Sequence, residues 1–307
     1  MKSLTSKVAL VTGASRGVGK GIALGLGEAG ATVYLTGRTI EEGRAAVDLP
    51  GTIYQTAEEV SKLGGKGIAV HCDHLNDEEV KAVFQRIQTE QNRLDILVNN
   101  VWGGYEFFND GTEFWKEKGF WTAPLSRWDK SFQAGVRAHY VASVLAAPIM
   151  ISQHSGLIAN ISFFAAQRDD KGVVYGVAKA ADDRMAACMA YELREHNVAV
   201  VSLYPGLVRT ESVMKAAQYF DLTNSESPQF IGRAIAALAT DPNIMQKSGQ
   251  VLISAAVAQE FGFSDIDGKQ PRPITVNEAQ RLCCKSGLTQ RAADLGHAPR
   301  FQALFLA

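Results

Sequence analysis

The sequence predicts an α/β fold: a single doubly wound domain with a mostly parallel seven-stranded sheet and helices on both faces. Three observations predict it. Seven short β-rich runs alternate strictly with helix-forming stretches. A glycine-rich turn joins the first run to the first helix. No repeat, low-complexity tract or interdomain linker breaks the rhythm. Strict alternation implies βαβ units with right-handed crossovers, which place helices on both sheet faces. The expected division is a nucleotide-binding domain over residues 1–262 and a C-terminal extension over 263–307, where Pro271 and Pro273 argue against regular continuation.

Lys7–Thr12 reads as a buried strand and Gly17–Ala29 as a helix of small residues. Ala31–Leu35 is the second strand, Ala57–Leu63 a helix and Gly67–Val70 the third strand. Asp77–Gln91 is a helix whose first three residues, Asp77, Glu78 and Glu79, suit its positive N-terminal end. Leu94–Val98 follows as a strand, then helix Ser126–Gln153, strand Leu157–Ile161, helix Val173–His196 and strand Val198–Leu203. Helix Pro228–Ala239 and strand Gln250–Ile253 complete the alternation. Two connections run long. Glu42–Gln55 carries Pro50-Gly51, and Trp102–Ala123 holds Trp102, Tyr105, Phe107, Phe108, Phe114, Trp115, Phe120 and Trp121.

Composition narrows the function classes. With 46% hydrophobic and 21% charged residues the chain has a globular balance rather than a disordered one. Lys and Arg number 31 against 32 Asp and Glu, so no basic excess points to nucleic acid. Cys72, Cys188, Cys283 and Cys284 form no CxxC pair, and the six histidines show no HExxH, so no metal is expected. Reduced thiols and the lack of a leader pattern give a cytoplasmic expectation. Tyr140–Ile151, the longest apolar stretch, falls short of the ~20 residues that span a bilayer, so no integral membrane segment is expected.

The turn Thr12-Gly13-Ala14-Ser15-Arg16-Gly17-Val18-Gly19 lets the backbone approach a pyrophosphate, which would rest on the free N–H groups and positive dipole of the following helix. At the end of the second strand an acidic residue would bind both ribose hydroxyls of NAD. Here stands Gly37-Arg38, with Arg16 in the turn. Two guanidinium groups suit a 2′-phosphate, so NADP(H) is expected over NAD(H). Tyr175 and Lys179 lie four apart, on one face of a helix. An ammonium there stabilises a phenolate whose ordinary pKa is about 10, fitting Tyr175 for acid–base work. Ser162, at the carboxyl edge of the fifth strand, can hold a substrate oxygen.

Together the chain resembles the short-chain dehydrogenase/reductases, on TGxxxGxG at Thr12–Gly19, Asp73, Asn99-Asn100, YxxxK at Tyr175–Lys179 and the PG turn Pro205–Thr210. The resemblance covers roughly Ser6–Gly262 and implies a Rossmann-type fold. It implies a catalytic set of Ser162, Tyr175 and Lys179. For the cofactor it implies Gly13, Ser15, Arg16, Gly17, Val18, Gly19, Arg38, Asp73, His74, Asn100, Tyr175, Lys179, Pro205, Gly206, Val208 and Thr210, with Lys179 on the nicotinamide ribose. Trp102 and Phe164 join Ser162 and Tyr175 as expected substrate contacts, with Tyr204 and Met214 as lid or pocket residues. One departure stands out. The family commonly has an asparagine at the position of Gly135, where it holds a helix kink and a water that relays protons from the lysine.

The expected function is NADP(H)-dependent interconversion of a bulky, apolar carbonyl compound and its alcohol. The alternative, prompted by Gly135, is an NADP(H)-sensing binding protein with weak or lost catalysis. An epimerase or dehydratase is disfavoured because no sugar-nucleotide domain follows the sheet. Family habit and the alanines of helix Val173–His196 suggest a homodimer or homotetramer.

Overall fold

Period-two patterning sorts the strand side chains between two cores. On β1 (Val8–Val11), Ala9 and Val11 face one side of the sheet while Val8 and Leu10 face the other, and all four are buried. The computed structural model describes residues 3–45, 48–103, 119–169 and 172–279. In it β1 is joined by β2 (Thr32–Gly37), β3 (Lys66–His71), β4 (Ile96–Asn99), β5 (Gly156–Ile161), β6 (Val198–Tyr204) and β7 (Val251–Ile253) in one sheet. Its order is β3-β2-β1-β4-β5-β6-β7, and every pairing is parallel. The expected mostly parallel sheet is therefore parallel throughout.

Helices α1 (Gly17–Glu28), α2 (Ile53–Lys62) and α8 (Pro228–Thr240) bury Ile22, Leu26, Ile53, Val60, Ile231 and Ile235 against one face. Helices α3 (Asp77–Gln91), α5 (Ala138–Gln153) and α6 (Val173–Leu193) bury Val80, Phe84, Ile87, Ala142, Ala146, Ala186 and Ala190 against the other. α2 starts four residues before the expected Ala57. The cause is a capping box: the Thr52 hydroxyl accepts from Gln55 N–H at 3.1 Å, and the Gln55 side chain accepts from Thr52 N–H at 3.1 Å.

The expected helix Ser126–Gln153 is α4 (Leu125–Ser131), a π turn (Phe132–Arg137) and α5 in one continuous run. The π turn holds Gly135 and was not legible from apolar periodicity. Among the described residues, 125–153 is long and apolar enough to cross a membrane by length and composition. Its Ala138, Ala142, Ala146 and Met150 are buried, however, and Arg127, Asp129, Lys130 and Arg137 lie along it, as in a helix packed on a sheet.

The connection after β6 contains α7 (Glu211–Lys215), and α9 (Ile244–Lys247) precedes β7. α10 (Ser254–Phe261) ends at Gly262 with φ +72°. Beyond it the chain folds back. Asp265 accepts from Ser227 N–H at 2.8 Å and from Arg209 at 3.0 Å, and Ile274 packs against Phe164 and Tyr204 before α11 (Val276–Ala279). Because β1 and β4 are neighbours while their connections leave in opposite directions, a crevice opens at the carboxyl ends of the strands.

Candidate active site

A cleft of about 490 Å³ occupies that crevice. Its floor is the glycine turn. Gly13 and Gly17 have φ of +69° and +58°, a region open to glycine. A Cβ on Gly19 would stand 2.2 Å from the Gly13 carbonyl oxygen, so only glycine leaves the cradle open. Asn100 fixes the turn to the end of β4: its Nδ2 donates to the carbonyls of Thr12 and Gly13 at 2.9 and 3.0 Å. The Thr12 hydroxyl accepts from the N–H groups of Asn100 and Val101. Gly13, Ser15, Arg16, Gly17, Val18, Gly19 and Asn100 all line the cleft. Gly17 N–H, at the start of α1, donates to the Glu211 carboxylate at 2.9 Å.

At one end stand Arg16, Arg38 and Arg44. Arg16 is anchored through its Nε to the Pro50 carbonyl at 3.0 Å and through Nη2 to that of Gly51 at 2.7 Å. Burial, with some help from Arg38, lowers its pKa against the pull of Glu211 and Glu42. Asp73 lines the cleft, its carboxylate accepting from Leu75 N–H at 3.0 Å. His74 is buried, with Nε2 2.7 Å from the Thr36 hydroxyl, and burial pushes its pKa down to about 4.

At the other end Ser162, Tyr175 and Lys179 come together with Trp102, Phe163, Pro205 and Thr210. The Ser162 hydroxyl donates to the Lys179 carbonyl at 3.1 Å. Lys179 Nζ donates to the Ile161 carbonyl at 2.9 Å and lies 4.4 Å above the Trp102 ring. Trp102 meets Tyr175 edge to face, centroids 5.5 Å apart. Lysine, phenol and indole thus form one contiguous wall.

Several expected contacts lie elsewhere. Phe164 is only 1% exposed and packs on Tyr204 and Ile274; its neighbour Phe163 lines the cleft instead. Tyr204 is core, donating to Asp183, and burial together with that carboxylate pushes its phenol far up, so it is neither lid nor acid. Val208 and Gly206 do not line the cleft: Val208 is fully buried and bridges to Glu226, and the Gly206 backbone also contacts Glu226. Met214 is half exposed. Tyr105, Phe107, Phe108, Phe114 and Trp115 lie outside the described residues.

Sequence reasoning missed a buried polar set behind Lys179. Asp182 Oδ2 is 3.4 Å from the Lys179 ammonium, and Asp182 Oδ1 is 2.8 Å from His139 Nδ1. His139 Nε2 is 2.9 Å from the Val101 carbonyl. Asn160 donates to the Asp182 carbonyl at 3.1 Å, and Ser143 to the His139 carbonyl at 2.8 Å. The available signals were Asp182 one helical turn beyond Lys179 and a lone histidine inside an apolar helix. Among the described residues no group of three or more His, Cys, Asp or Glu could hold a metal.

Comparison with known proteins fits this geometry. The short chain dehydrogenase family model matches residues 7–219. Dehydrogenase/reductase SDR family member 1 of Mus musculus is 42% identical over 280 residues, covering 87% of this chain and 85% of its own. A 7 alpha-hydroxysteroid dehydrogenase solved with NADH and 7-oxo glycochenodeoxycholic acid superposes with a TM-score of 0.66 at 27% identity, covering 88% of this chain and 96% of that one. A metagenomic short-chain oxidoreductase solved with NADP gives 0.63 at 28% identity, covering 82% and 97%. An open glycine cradle at a helix N-terminus and a tyrosine–lysine wall opposite fit a nicotinamide dinucleotide. The chain is an oxidoreductase belonging to the short-chain dehydrogenase/reductase family.

Proposed function

We propose that this oxidoreductase uses NADP(H) to interconvert a bulky, apolar ketone or aldehyde and its alcohol, with Tyr175 as general acid and base. The observation that carries the reading is the convergence of Ser162, Tyr175 and Lys179 on one end of the cleft whose other end holds Arg16 and Arg38.

The bound cofactor supplies or accepts the hydride. The residues do the rest. The glycine cradle and the N-terminus of α1 take the pyrophosphate. Arg16, already anchored by two carbonyls, and Arg38 take the 2′-phosphate, since two like charges side by side favour a dianion between them. Solved relatives hold NADH in one case and NADP in another, so the fold admits either and the arginines carry the choice. Lys179 holds the nicotinamide ribose and keeps positive charge beside the phenol. Ser162 turns its hydroxyl from the Lys179 carbonyl to the substrate oxygen, and Tyr175 donates its proton there in reduction. Trp102 and Phe163 offer aromatic faces to an apolar substrate, a size class that also includes the 7-oxo steroid held by the solved relative. A cytoplasmic location and a homodimer or homotetramer are part of the same proposal; light scattering reads the second.

The test follows NADPH and NADH oxidation with steroid, quinone, aromatic-ketone and small-aldehyde substrates, with Tyr175→Phe alongside. NADPH-dependent turnover of the bulky members, reduced at least a hundredfold in the variant, is expected. NADPH binding without turnover of any member favours the sensing protein instead.

A further inference from the structure

Gly135 lacks the side chain that the family commonly uses to hold a helix kink and a water beside the lysine, and the space is filled. A Cβ on Gly135 would stand 2.7 Å from the Trp102 ring, so an asparagine there and this indole exclude one another. The lysine is not left without a second anchor. Its ammonium meets Asp182, which is fully buried, and Asp182 is held in turn by His139, 1% exposed.

We propose that His139 and Asp182 are positioning residues, a buried pair that orients the Lys179 ammonium toward Tyr175 in place of the side chain absent at Gly135. The inference rests on the carbonyl-reductase reading and deepens it. Hydrogen-bond capacity carries the argument. His139 faces an acceptor at each ring nitrogen: the Asp182 carboxylate at Nδ1 and the Val101 carbonyl at Nε2. A carbonyl and a carboxylate only accept, so a ring that donates from both nitrogens would satisfy both at once. Burial opposes charge on Asp182, but His139 and Lys179 together outweigh it and hold the carboxyl below the usual range. With the ring doubly protonated, two cations would flank one buried carboxylate. That arrangement fixes Lys179 through Asp182, while the second ring nitrogen of His139 meets the carbonyl of Val101, the residue before Trp102.

The partners come from four places in the fold. His139 is the second residue of α5, Asp182 and Lys179 share a face of α6, and Val101 lies two residues after the end of β4. Asn160 of β5 and Ser143 of α5 bind the backbone carbonyls of Asp182 and His139. Among the described residues, other titratable groups near the pair are Tyr175 and Asp183 on α6, and His74 after β3.

The test uses the full chain with Asp182→Asn, a near-isosteric change, and the double variant His139→Leu/Asp182→Leu. The double variant removes both buried charges and leaves an apolar site, which proteins tolerate better than one orphaned charge. With a carbonyl substrate, both variants should lose at least tenfold in kcat while KM moves less than threefold. The alkaline limb of reduction should move to lower pH in Asp182→Asn, because a carboxylate opposes proton loss from its neighbours. Two readouts need no turnover. Nitrogen-15 NMR of His139 should show two protonated ring nitrogens in the wild type and one in Asp182→Asn. NADPH should bind at least fivefold more weakly to both variants. Wild-type kcat with an unmoved alkaline limb in a folded variant overturns the proposal, as does a neutral His139 in the wild type. If the wild type reduces no carbonyl, the functional reading fails while the NMR and binding arms still judge the pair: two protonated nitrogens and weaker NADPH binding support it, and a neutral ring or unchanged binding overturns it.

Discussion

A missing methyl group and an indole compete for one space at Gly135. The Trp102 ring leaves no room for a Cβ, so Gly135→Ala should overpack the π turn and cost about 1–3 kcal/mol, offset by up to about 1 kcal/mol of helix propensity. The sign turns on Trp102. In a Trp102→Ala background the same Gly135→Ala change should stabilise the protein, giving a coupling of about 1 kcal/mol or more in a urea-unfolding double-mutant cycle. Additive effects would sink the account. At this scale legibility followed sequence distance. Tyr175 and Lys179 sit four positions apart, and the helix fixes their shared face, so the wall was readable. His139 and Asp182 lie 43 positions apart, and only the packing of α5 on α6 brings them together. Phe163 and Phe164 differ by one residue, and strand-end geometry that no pattern specifies sends one to the cleft and the other to the core.

Elements decide access to the glycine cradle. α7 carries Glu211 to the first free N–H of α1, the place an anionic pyrophosphate would take. A carboxylate there must leave, or share the site at a Coulomb cost, when the cofactor enters. Glu211→Gln should therefore tighten NADPH binding about three- to tenfold at low ionic strength, and the gain should shrink with added salt as screening weakens the repulsion. Fluorescence titration at two salt concentrations reads it; equal or weaker binding by the variant would remove α7 from the account. The alternating strands and helices were legible because each hides an apolar face with its own period. α7 was not legible: five residues are too few to show a period, and its position depends on a Thr210 cap and a bridge between Val208 and Glu226. The π turn escaped for a related reason, since it changes the helix register without changing its apolar content.

Across the whole molecule two buried groups set opposing slopes of stability with pH. His74 is pushed down to about 4, chiefly by burial. In the unfolded chain it binds protons up to about pH 6.5, so its contribution is full above that value and is lost as pH falls through 4. Glu226, buried beside Ser254 and near Asp265, is pushed up to about 7, again chiefly by burial. Its folded form keeps a proton that the unfolded form gives up near pH 4.3, so its contribution is full at low pH and is lost as pH rises through 7. Between about pH 4.5 and 6.5 the unfolded state holds an extra proton at His74 and the folded state holds one at Glu226, so the two slopes cancel. Glu226→Gln leaves the His74 slope uncovered: relative to wild type, its stability should climb by roughly 1.4 kcal/mol per pH unit across that window. His74→Gln should show the reverse, losing stability relative to wild type as pH rises. The double variant should track the wild-type slope, because both shifts are gone and every other titrating group is shared. Urea-unfolding midpoints at four pH values on cofactor-free protein measure all three; parallel profiles for the single variants would show that neither group titrates differently on folding.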